Sequence, residues 1–487
     1  MEKKLIYDIG DKPKFGQMLI FALQQVLAIL AATIAVPTII GLPTQIPAAI
    51  LGAGIGTLVY QLFTKFRSPV FLGSSFAFLS SLGVALSYGY CGIILGSAVA
   101  GVAYIGIALI VRGVGTSWVD HLMPPVIIGP TVALIGLSLA GNAMGDIVTA
   151  SSSTLYKEYN LAALLCGLVA FVVIIICSTQ KRVRMARLIP FIIGIGAGYA
   201  LAAIFTLVGH LTGADYLMII DFSPIVNNFF DADGAFRGIS AFFSVPHIAA
   251  YEGARELMTG EISAEVLKEY PDAKLLGLGG IVEVVMAFLP VALVVFAEHI
   301  ADHKNLSSII DRDLIKDPGL DKTLLGDGVG SIAGTVLGVC PNTTYGESVG
   351  CIAITRNASI ATITTTAFMC IILSFISPVM ALLRTIPSCV MGGVCLTLYG
   401  FIAVSGLKMF KELDLNEGKN LFVVASILIS GIGGLTIQIP YMISEAGVIT
   451  NTIKITSIAT ALVIGILTNA ILTKVENSKL GKEKDKK

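Results

Sequence analysis

"VCPNTTYGES", residues 339–348, breaks an apolar run with Pro-Asn, two threonines and an aromatic, then places a carboxylate, Glu347, directly after a glycine. Its surroundings decide how the break is read. The chain has 487 residues, 55% of them hydrophobic and 13% charged, with 51 glycines and a formal net charge of zero. That balance argues against a soluble domain and for a polytopic membrane protein, and it gives no footing for nucleic-acid binding. Non-helical backbone at membrane depth is tolerated only where protein or a water-filled cavity satisfies its polar groups. The break therefore predicts a discontinuous span. A half-helix starting near Tyr345 would bring free N–H groups and the positive end of its dipole to the same place as Glu347. The competing reading is a re-entrant turn capped by Thr and Ser for structural reasons.

A counterpart lies in the first half. "SPVFLGSSFAF", 68–78, also breaks an apolar run, and Ser74-Ser75-Phe76 parallels Thr343-Thr344-Tyr345. Upstream, Gln24-Gln25 and Glu298-His299 stand at similar distances from the two breaks. Interrupted segments in corresponding positions are the trace of an internal repeat and the best pointer to a transporter binding site near the midplane.

Windows of membrane-crossing length recur along the chain. They are read at 17–37, 46–64, 69–87, 90–111, 123–143, 160–178, 187–210, 277–301, 321–338, 340–355, 358–380, 386–407, 419–437 and 455–473. Seven precede the second copy, an odd number, so the copies are expected to be inverted in the membrane. Basic residues test the orientation. Lys65, Arg67, Arg112, Lys181, Arg182, Arg184, Arg187, Lys304, Arg312, Lys316, Lys322, Arg356, Lys408, Lys411, Lys419 and the lysine-rich tail fall on the N-terminal side, against Lys157, Arg384 and Lys454 opposite. Both termini are thus expected to be cytoplasmic, the four basic residues of one long loop weighing little. That loop, 213–275, reads as a solvated extracytoplasmic excursion because its charges are of mixed sign. The eight cysteines lack CxxC spacing and read as buried hydrophobes. No cleavage site follows a short apolar stretch at the N-terminus, so the first segment is expected to be an uncleaved helix.

"VVFAEHIADHKNL", 294–306, is the second constellation. Glu298 and Asp302 are four apart on one helix face, and His299 and His303 form a second such pair rotated by about 100°. A zinc reading fails because Ile300, not Glu, follows the first histidine. His303 and Lys304 are expected at the cytoplasmic helix end. Glu298 ends an unbroken apolar run, and an intramembrane carboxylate is a functional-site hypothesis by default. Asp327 and Glu283 are further candidates within spans, for proton movement, helix pairing or an end cap. "GAGIG" (52–56) and "GIGAG" (194–198) lie inside spans, where small residues let helices approach closely. Asn342 matches a glycosylation acceptor only by accident, since it sits at membrane depth.

At these residues the chain resembles the nucleobase-ascorbate transporter family, through "LQQ" near Gln24, "LGSSFAF", "AEHIADH", "PNTTYGES" and "ESVGCIAITR", and within it the uracil permeases. The resemblance runs over nearly the whole length. It implies an all-α polytopic membrane protein of fourteen transmembrane segments, as two inverted seven-segment repeats with short antiparallel strands in segments 3 and 10. It also implies a core domain from 1–115 and 276–381, a gate domain from 116–212 and 382–474, a basic tail at 475–487, and a homodimer in the plasma membrane. Carried over by motif, Glu298, Glu347 and Phe76 would contact a base, Tyr345 and Gly346 would offer backbone, and Ala32 would line the pocket. Gln25, Ser75 and Ser348 are secondary candidates. Asp302 stands where some uracil permeases have His, as in xanthine and urate carriers, and Ser348 stands where the family signature has Asn. Glu347 thus favours uracil while Asp302 leaves purines open.

The chemistry suits a neutral base. Ring N–H donors can be accepted by carboxylates, and ring carbonyls can accept from backbone N–H at half-helix starts. Ionising two carboxylates in a dry site is costly, which couples proton binding to substrate binding. The expected activity is uracil uptake by proton symport with Glu298 or Asp302 taking the proton, and no metal or organic cofactor. Sodium in place of the proton, and a xanthine or urate substrate, are the alternatives. An enzyme would need a nucleophile–base pair or a metal cluster, and a channel a repeated pore ring. The sequence shows neither.

Overall fold

A computed structural model describes residues 5–150, 159–180, 182–183, 186–187, 189–443 and 449–484. Lys157, Lys181, Arg184, Lys486 and Lys487 of the charge count lie outside them. In chain order the elements that matter here begin with α1 (Phe15–Ile39), α2 (Ile46–Phe63), strand β1 (Leu72–Ser74), α3 (Leu79–Leu86) and α4 (Gly89–Val114). Then come α5 (Pro125–Ser138), α6 (Leu161–Thr179), α7 (Pro190–Thr212), α8 (Ala249–Thr259), α9 (Ala264–Glu269) and α10 (Leu278–Ile310). The last part holds α11 (Leu320–Val336), β2 (Asn342–Thr344), α12 (Gly346–Thr355), α13 (Ile360–Ser374), α14 (Ser388–Lys408), α15 (Gly418–Ile432), the hairpin β3 (Ile437–Ile443) and β4 (Ile449–Ile455), and α16 (Ser457–Lys484). Among the described residues nine helices are long and apolar enough to cross a membrane: α1, α2, α4, α5 with its continuation to Ile147, α6, α7, α10, α14 and α16.

Contacts define two ends of the bundle. At the first, the N–H groups of Ile6 and Tyr7 bond the Arg356 carbonyl at 2.8 and 3.3 Å, and Ala358 N–H bonds the Tyr7 carbonyl at 2.9 Å. Arg312 reaches Asp8 at 2.6 Å and Arg67 reaches Asp317 at 3.1 Å. At the second end the stretch between α7 and α10 docks. Tyr270 O–H donates to the Ile40 carbonyl at 3.3 Å. Lys274 N–H bonds the Ser87 carbonyl at 3.0 Å and Ala249 N–H that of Gly338 at 2.8 Å.

That docking departs from the solvated loop expected for 213–275. Glu252 and Glu256 of α8 are buried. Glu256 takes N–H bonds from Tyr90 at 2.9 Å, Cys91 at 3.4 Å and Ser263 at 3.4 Å, so it caps the first turn of α4 and ties α8 to the start of α9. Burial pushes its carboxyl above the usual carboxylate range, and those three donors offset only part of that rise. Mixed-sign charge in the sequence gave no sign of this, because the partners are main-chain donors. Glu256→Ala is expected to lower stability by about 1–3 kcal/mol in thermal unfolding of the detergent-solubilised protein. Glu256→Gln, which keeps an acceptor, is expected to lose less.

Two interrupted segments cross in the middle. β1 and β2 pair antiparallel with Leu72 opposite Thr344, Gly73 opposite Thr343 and Ser74 opposite Asn342. The pairing extends through Ser75 N–H to the Pro341 carbonyl at 2.9 Å and Tyr345 N–H to the Phe71 carbonyl at 3.1 Å. Thr57 of α2 accepts from Leu72 N–H at 2.9 Å and so satisfies a strand group at depth. From this crossing α3 runs to Ser87 at the second end and α12 to Arg356 at the first. The Asn342 side chain is buried and donates to the Gly52 carbonyl at 2.8 Å, which removes it as a glycosylation site.

Helix α11 carries Asp321, Lys322 and Asp327 and falls below membrane-helix hydropathy. It needs none, for it packs against α2 and α4. Gly52 and Gly334 meet so closely that a Cβ on Gly52 would collide with the Gly334 carbonyl oxygen, the role expected of "GAGIG". The spans read at 358–380 and 419–437 are shorter helices, α13 and α15. α15 stops before Gly433-Gly434, where Gly434 has φ +71°, a conformation that disfavours side chains. Beyond it Ile437, Gln438 and Ile439 alternate as a strand does, and β3 pairs with β4. Among the described residues the fold is thus predominantly helical with two small two-stranded sheets, not all-α.

Candidate functional site

The strand crossing positions the site. α12 starts directly after β2, with Tyr345 in extended backbone as its N-cap, Gly346 first and Glu347 in the first turn. Its opening N–H groups have no partner within the helix. Gly346 is exposed and Glu347 half-buried, so this helix start faces open space, while Ser348 behind it is buried. Gln25 of α1 donates to the Ser348 hydroxyl at 2.5 Å. The Gln25–Ser348 pair thus pins α12 to α1 where the family signature has Asn.

Tyr345 turns inward and is buried. Its hydroxyl donates to the Ser74 carbonyl at 3.0 Å and accepts from Thr33 at 3.4 Å. The ring fills the space over Gly73, where any side chain would collide with it. Ala32, next to Thr33, is fully buried. Phe76 is buried and meets Tyr399 of α14 edge-on, ring centroids 5.5 Å apart. Ser75 is buried with its hydroxyl unpartnered among the described residues.

The second carboxylate pair comes from α10. Glu298 is half-buried, and its Oε2 has no partner among the described residues. Asp302, one turn on, is buried and accepts from the Thr344 hydroxyl at 2.6 Å. A Cβ on Gly346 would stand 3.8 Å from Asp302 Oδ1, which places Asp302 beside the start of α12. Glu298 and Asp302 both lie within the electrostatic reach of Glu347. The strands thus bring the two motifs into one place. Thr344→Val, which deletes one hydroxyl at nearly constant volume, is expected to unfasten Asp302 and lower transport several-fold, measured as the initial rate of uptake.

His303 lies elsewhere than expected. His303 is fully buried, not at a helix end, with Nε2 2.8 Å from the Tyr60 hydroxyl. His299 Nδ1 is 2.7 Å from Asp327 Oδ2. Asp327 therefore pairs across helices, and Glu283 accepts from the Tyr88 hydroxyl at 2.5 Å. Sequence reading missed Thr33, Thr344, Tyr60 and Tyr399 as participants. Thr344 was legible within its motif. Tyr399 is an aromatic in a largely apolar helix, and Thr33 and Tyr60 lie in α1 and α2 with no local pattern.

Membrane-length helices packed around two crossed strands, with half-helices leaving those strands in opposite directions from a carboxylate-lined opening, are the build of a secondary transporter. The model of the family described as "Permease family" (Xan_ur_permease) matches residues 16–440. The chain is 34% identical over 472 residues to a uracil permease of Bacillus caldolyticus, covering 96% of this chain and 95% of the relative. It is 33% identical over 474 residues to a uracil permease of Bacillus subtilis strain 168, covering 97% and 96%. The chain belongs to this family, the nucleobase-ascorbate transporters, and is a transporter, not an enzyme. Its fold is similar to the transmembrane domain of a cyanobacterial bicarbonate transporter, BicA, with TM-score 0.54 at 12% identity over 95% of this chain and 100% of the other.

Proposed function

We propose that this protein imports uracil into the cell by proton symport, with alternating access between a core (1–115 and 276–381) and a gate (116–212 and 382–474). One observation carries the reading: two half-buried carboxylates, Glu298 and Glu347, flank an exposed half-helix start at Gly346. A pyrimidine ring there meets carboxylate acceptors for its N–H groups and backbone donors for its carbonyls, and Phe76 supplies an aromatic face. Relatives named uracil permeases, matched end to end, favour the pyrimidine over a purine. The crossed strands and oppositely directed half-helices support fourteen segments in two inverted repeats. The gate contributes Tyr399, so a core movement would change what covers Phe76.

Exposure along α12 marks an access route. Gly346 and Ala353 are exposed and Gly350 between them is half-buried, on one helix face that leads to Arg356. On the charge rule that first end is cytoplasmic, with both termini there, and the structure then corresponds to an inward-open state. A plasma-membrane homodimer belongs to the same reading. Glu298 or Asp302 carries the proton, with sodium as the other coupling ion.

Uptake of labelled uracil into proteoliposomes, with and without an inward proton gradient and with excess xanthine, tests this. Gradient-dependent accumulation that xanthine does not suppress is the expected result. Accumulation of xanthine with no uptake of uracil would overturn the substrate, and uptake driven by a sodium gradient alone would overturn the coupling ion.

A further inference from the structure

The short helix Ser117–Leu122 connects α4 to α5 at the first end of the bundle, where the apolar span of α16 also finishes. Between this helix and α16 lies a cavity of about 370 Å³, within the size range of small-molecule sites. Its lining is divided. Leu122, Ile466 and Ala470 make an apolar part, and His121, Asn469, Thr473 and Lys474 a polar one. Along α16 Ile466 lies deepest in the span and Lys474 nearest its end, so the cavity changes from apolar to polar as the membrane does. Val463, Leu467, Ile471 and Val475 recur every four residues and are exposed, a stripe that on a spanning helix faces acyl chains. Leu467, Ile471 and Val475 directly follow Ile466, Ala470 and Lys474, so the lipid-facing stripe and the cavity occupy adjoining faces of α16.

The polar part offers donors. Lys474 has no ion pair among the described residues, and Glu476, the next acid along α16, is held by Lys419 at 3.5 Å. The Asn469 amide has no hydrogen bond among the described residues either, the bond at this position being the one its backbone carbonyl accepts from the Thr473 hydroxyl at 2.7 Å. His121 Nδ1 is 2.8 Å from the Ser117 carbonyl, and a carbonyl only accepts, so Nδ1 carries a hydrogen and Nε2 is left for an outside partner. No carboxylate lines the cavity among the described residues. An unpaired ammonium beside an amide donor suits an anion. The apolar part suits an anion that carries chains.

We propose that this cavity binds an acidic phospholipid, its phosphate against Lys474 and Asn469 and an acyl chain over Leu122, Ile466 and the stripe beside them. The inference goes beyond transport and depends on neither the base carried nor the coupling ion. On the orientation proposed above the leaflet is the cytoplasmic one, where anionic headgroups concentrate and basic pockets between helices take them. A lysine that only snorkels to the interface needs no cavity between it and a second helix. A soluble anion would leave the apolar part of the lining unused. A second copy of the chain would have to bring a carboxylate to Lys474, and the exposed stripe that would meet it carries none. A lipid seated here touches both α16 and the connection from α4 to α5, which on the division proposed above is the passage from core to gate.

The chain carries its own probe. Trp118 is its only tryptophan, stands one turn before His121 and Leu122 in the same short helix, and is half-buried against Phe296 with ring centroids 6.4 Å apart. Its fluorescence in the full-length, detergent-solubilised protein is titrated with phosphatidylglycerol or phosphatidylcholine brominated near the glycerol end of the acyl chains. Phosphatidylglycerol is expected to quench at a several-fold lower mole fraction than phosphatidylcholine. Lys474→Gln is expected to raise the half-quenching mole fraction of phosphatidylglycerol about fivefold, the effect of one lysine at a charged membrane surface, and to leave phosphatidylcholine unchanged. Lys65→Gln, an exposed lysine at the same end outside the cavity, is expected to change neither. Lys474 is exposed, so its variant should keep the wild-type thermal transition. Equal quenching by the two lipids, or no shift in Lys474→Gln, would reduce the contact to ordinary boundary lipid and overturn the site. Reversal of the quenching by glycerol 3-phosphate would show that a free phosphate suffices and overturn the lipid. Absence of quenching by either lipid, in a protein that is dimeric at the same concentration, would give the cavity to a second copy and overturn the proposal. The readout is binding alone, so failure of the transport reading leaves it intact.

Discussion

Glu298→Gln is expected to end accumulation of uracil against its gradient: at steady state the concentration ratio across the liposome membrane falls to one, however large the proton gradient. Glu298 is the site carboxylate with an unpartnered, buried oxygen, so protonation there breaks no existing bond. The amide keeps the shape and one acceptor but has no proton to take up or release. Binding weakens as well, because a hydrogen bond to a charged group is worth about 1.5–3 kcal/mol, roughly ten- to a hundredfold in affinity. Exchange at saturating uracil should therefore persist while accumulation is lost. The pH dependence carries the sign: uptake by the wild type falls as the outer pH rises, and uptake by the variant stays flat. Asp302→Asn is the control. Asp302 is buried and bonded to Thr344 at 2.6 Å, so its loss disturbs the site even if it never titrates. Accumulation that survives Glu298→Gln but not Asp302→Asn would assign the proton to Asp302.

Much of this arrangement was legible in one dimension, and the part that was not has a physical reason. The breaks at 68–78 and 339–348 announced themselves because hydroxyls, prolines and a carboxylate are costly in an apolar run, and the structure pairs those two stretches as β1 and β2. Glu298 and Glu347 were singled out as candidates by the same rule. Its failures are partners that look ordinary in sequence. Tyr60 and Tyr399 are aromatics within helices, where an aromatic is the default filling. His303 read as a helix end because Lys304 follows it, yet α10 continues to Ile310 and holds His303 inside. The docking of 213–277 was hidden because Glu256 is satisfied by main-chain N–H groups, which leave no mark on composition. The hairpin β3–β4 lay in a region read only for helix-length hydropathy, a measure blind to a period of two.

Glu347→Ala should weaken uracil binding by about a hundredfold, measured by calorimetry or scintillation proximity on the purified protein, with folding checked by its thermal transition. The size follows from position. Glu347 stands in the first turn of α12, where the helix dipole favours an anion and the exposed Gly346 leaves room beside it for a planar ligand. It is also the group that distinguishes bases. A carboxylate only accepts, so it selects a ring edge that presents N–H. An amide both accepts and donates, so Glu347→Gln offers a donor where the wild type has none. Glu347→Gln should accordingly bind uracil less tightly than the wild type but more tightly than Glu347→Ala, and should gain relative affinity for a base with an acceptor nitrogen at that edge. Because Glu298 is untouched in these variants, whatever they transport should still be driven by the proton gradient. Specificity and coupling are then separable, one carried by the half-helix and the other by the long helix that crosses behind it. Loss of coupling in Glu347→Gln with affinity unchanged would reverse that assignment of the two glutamates.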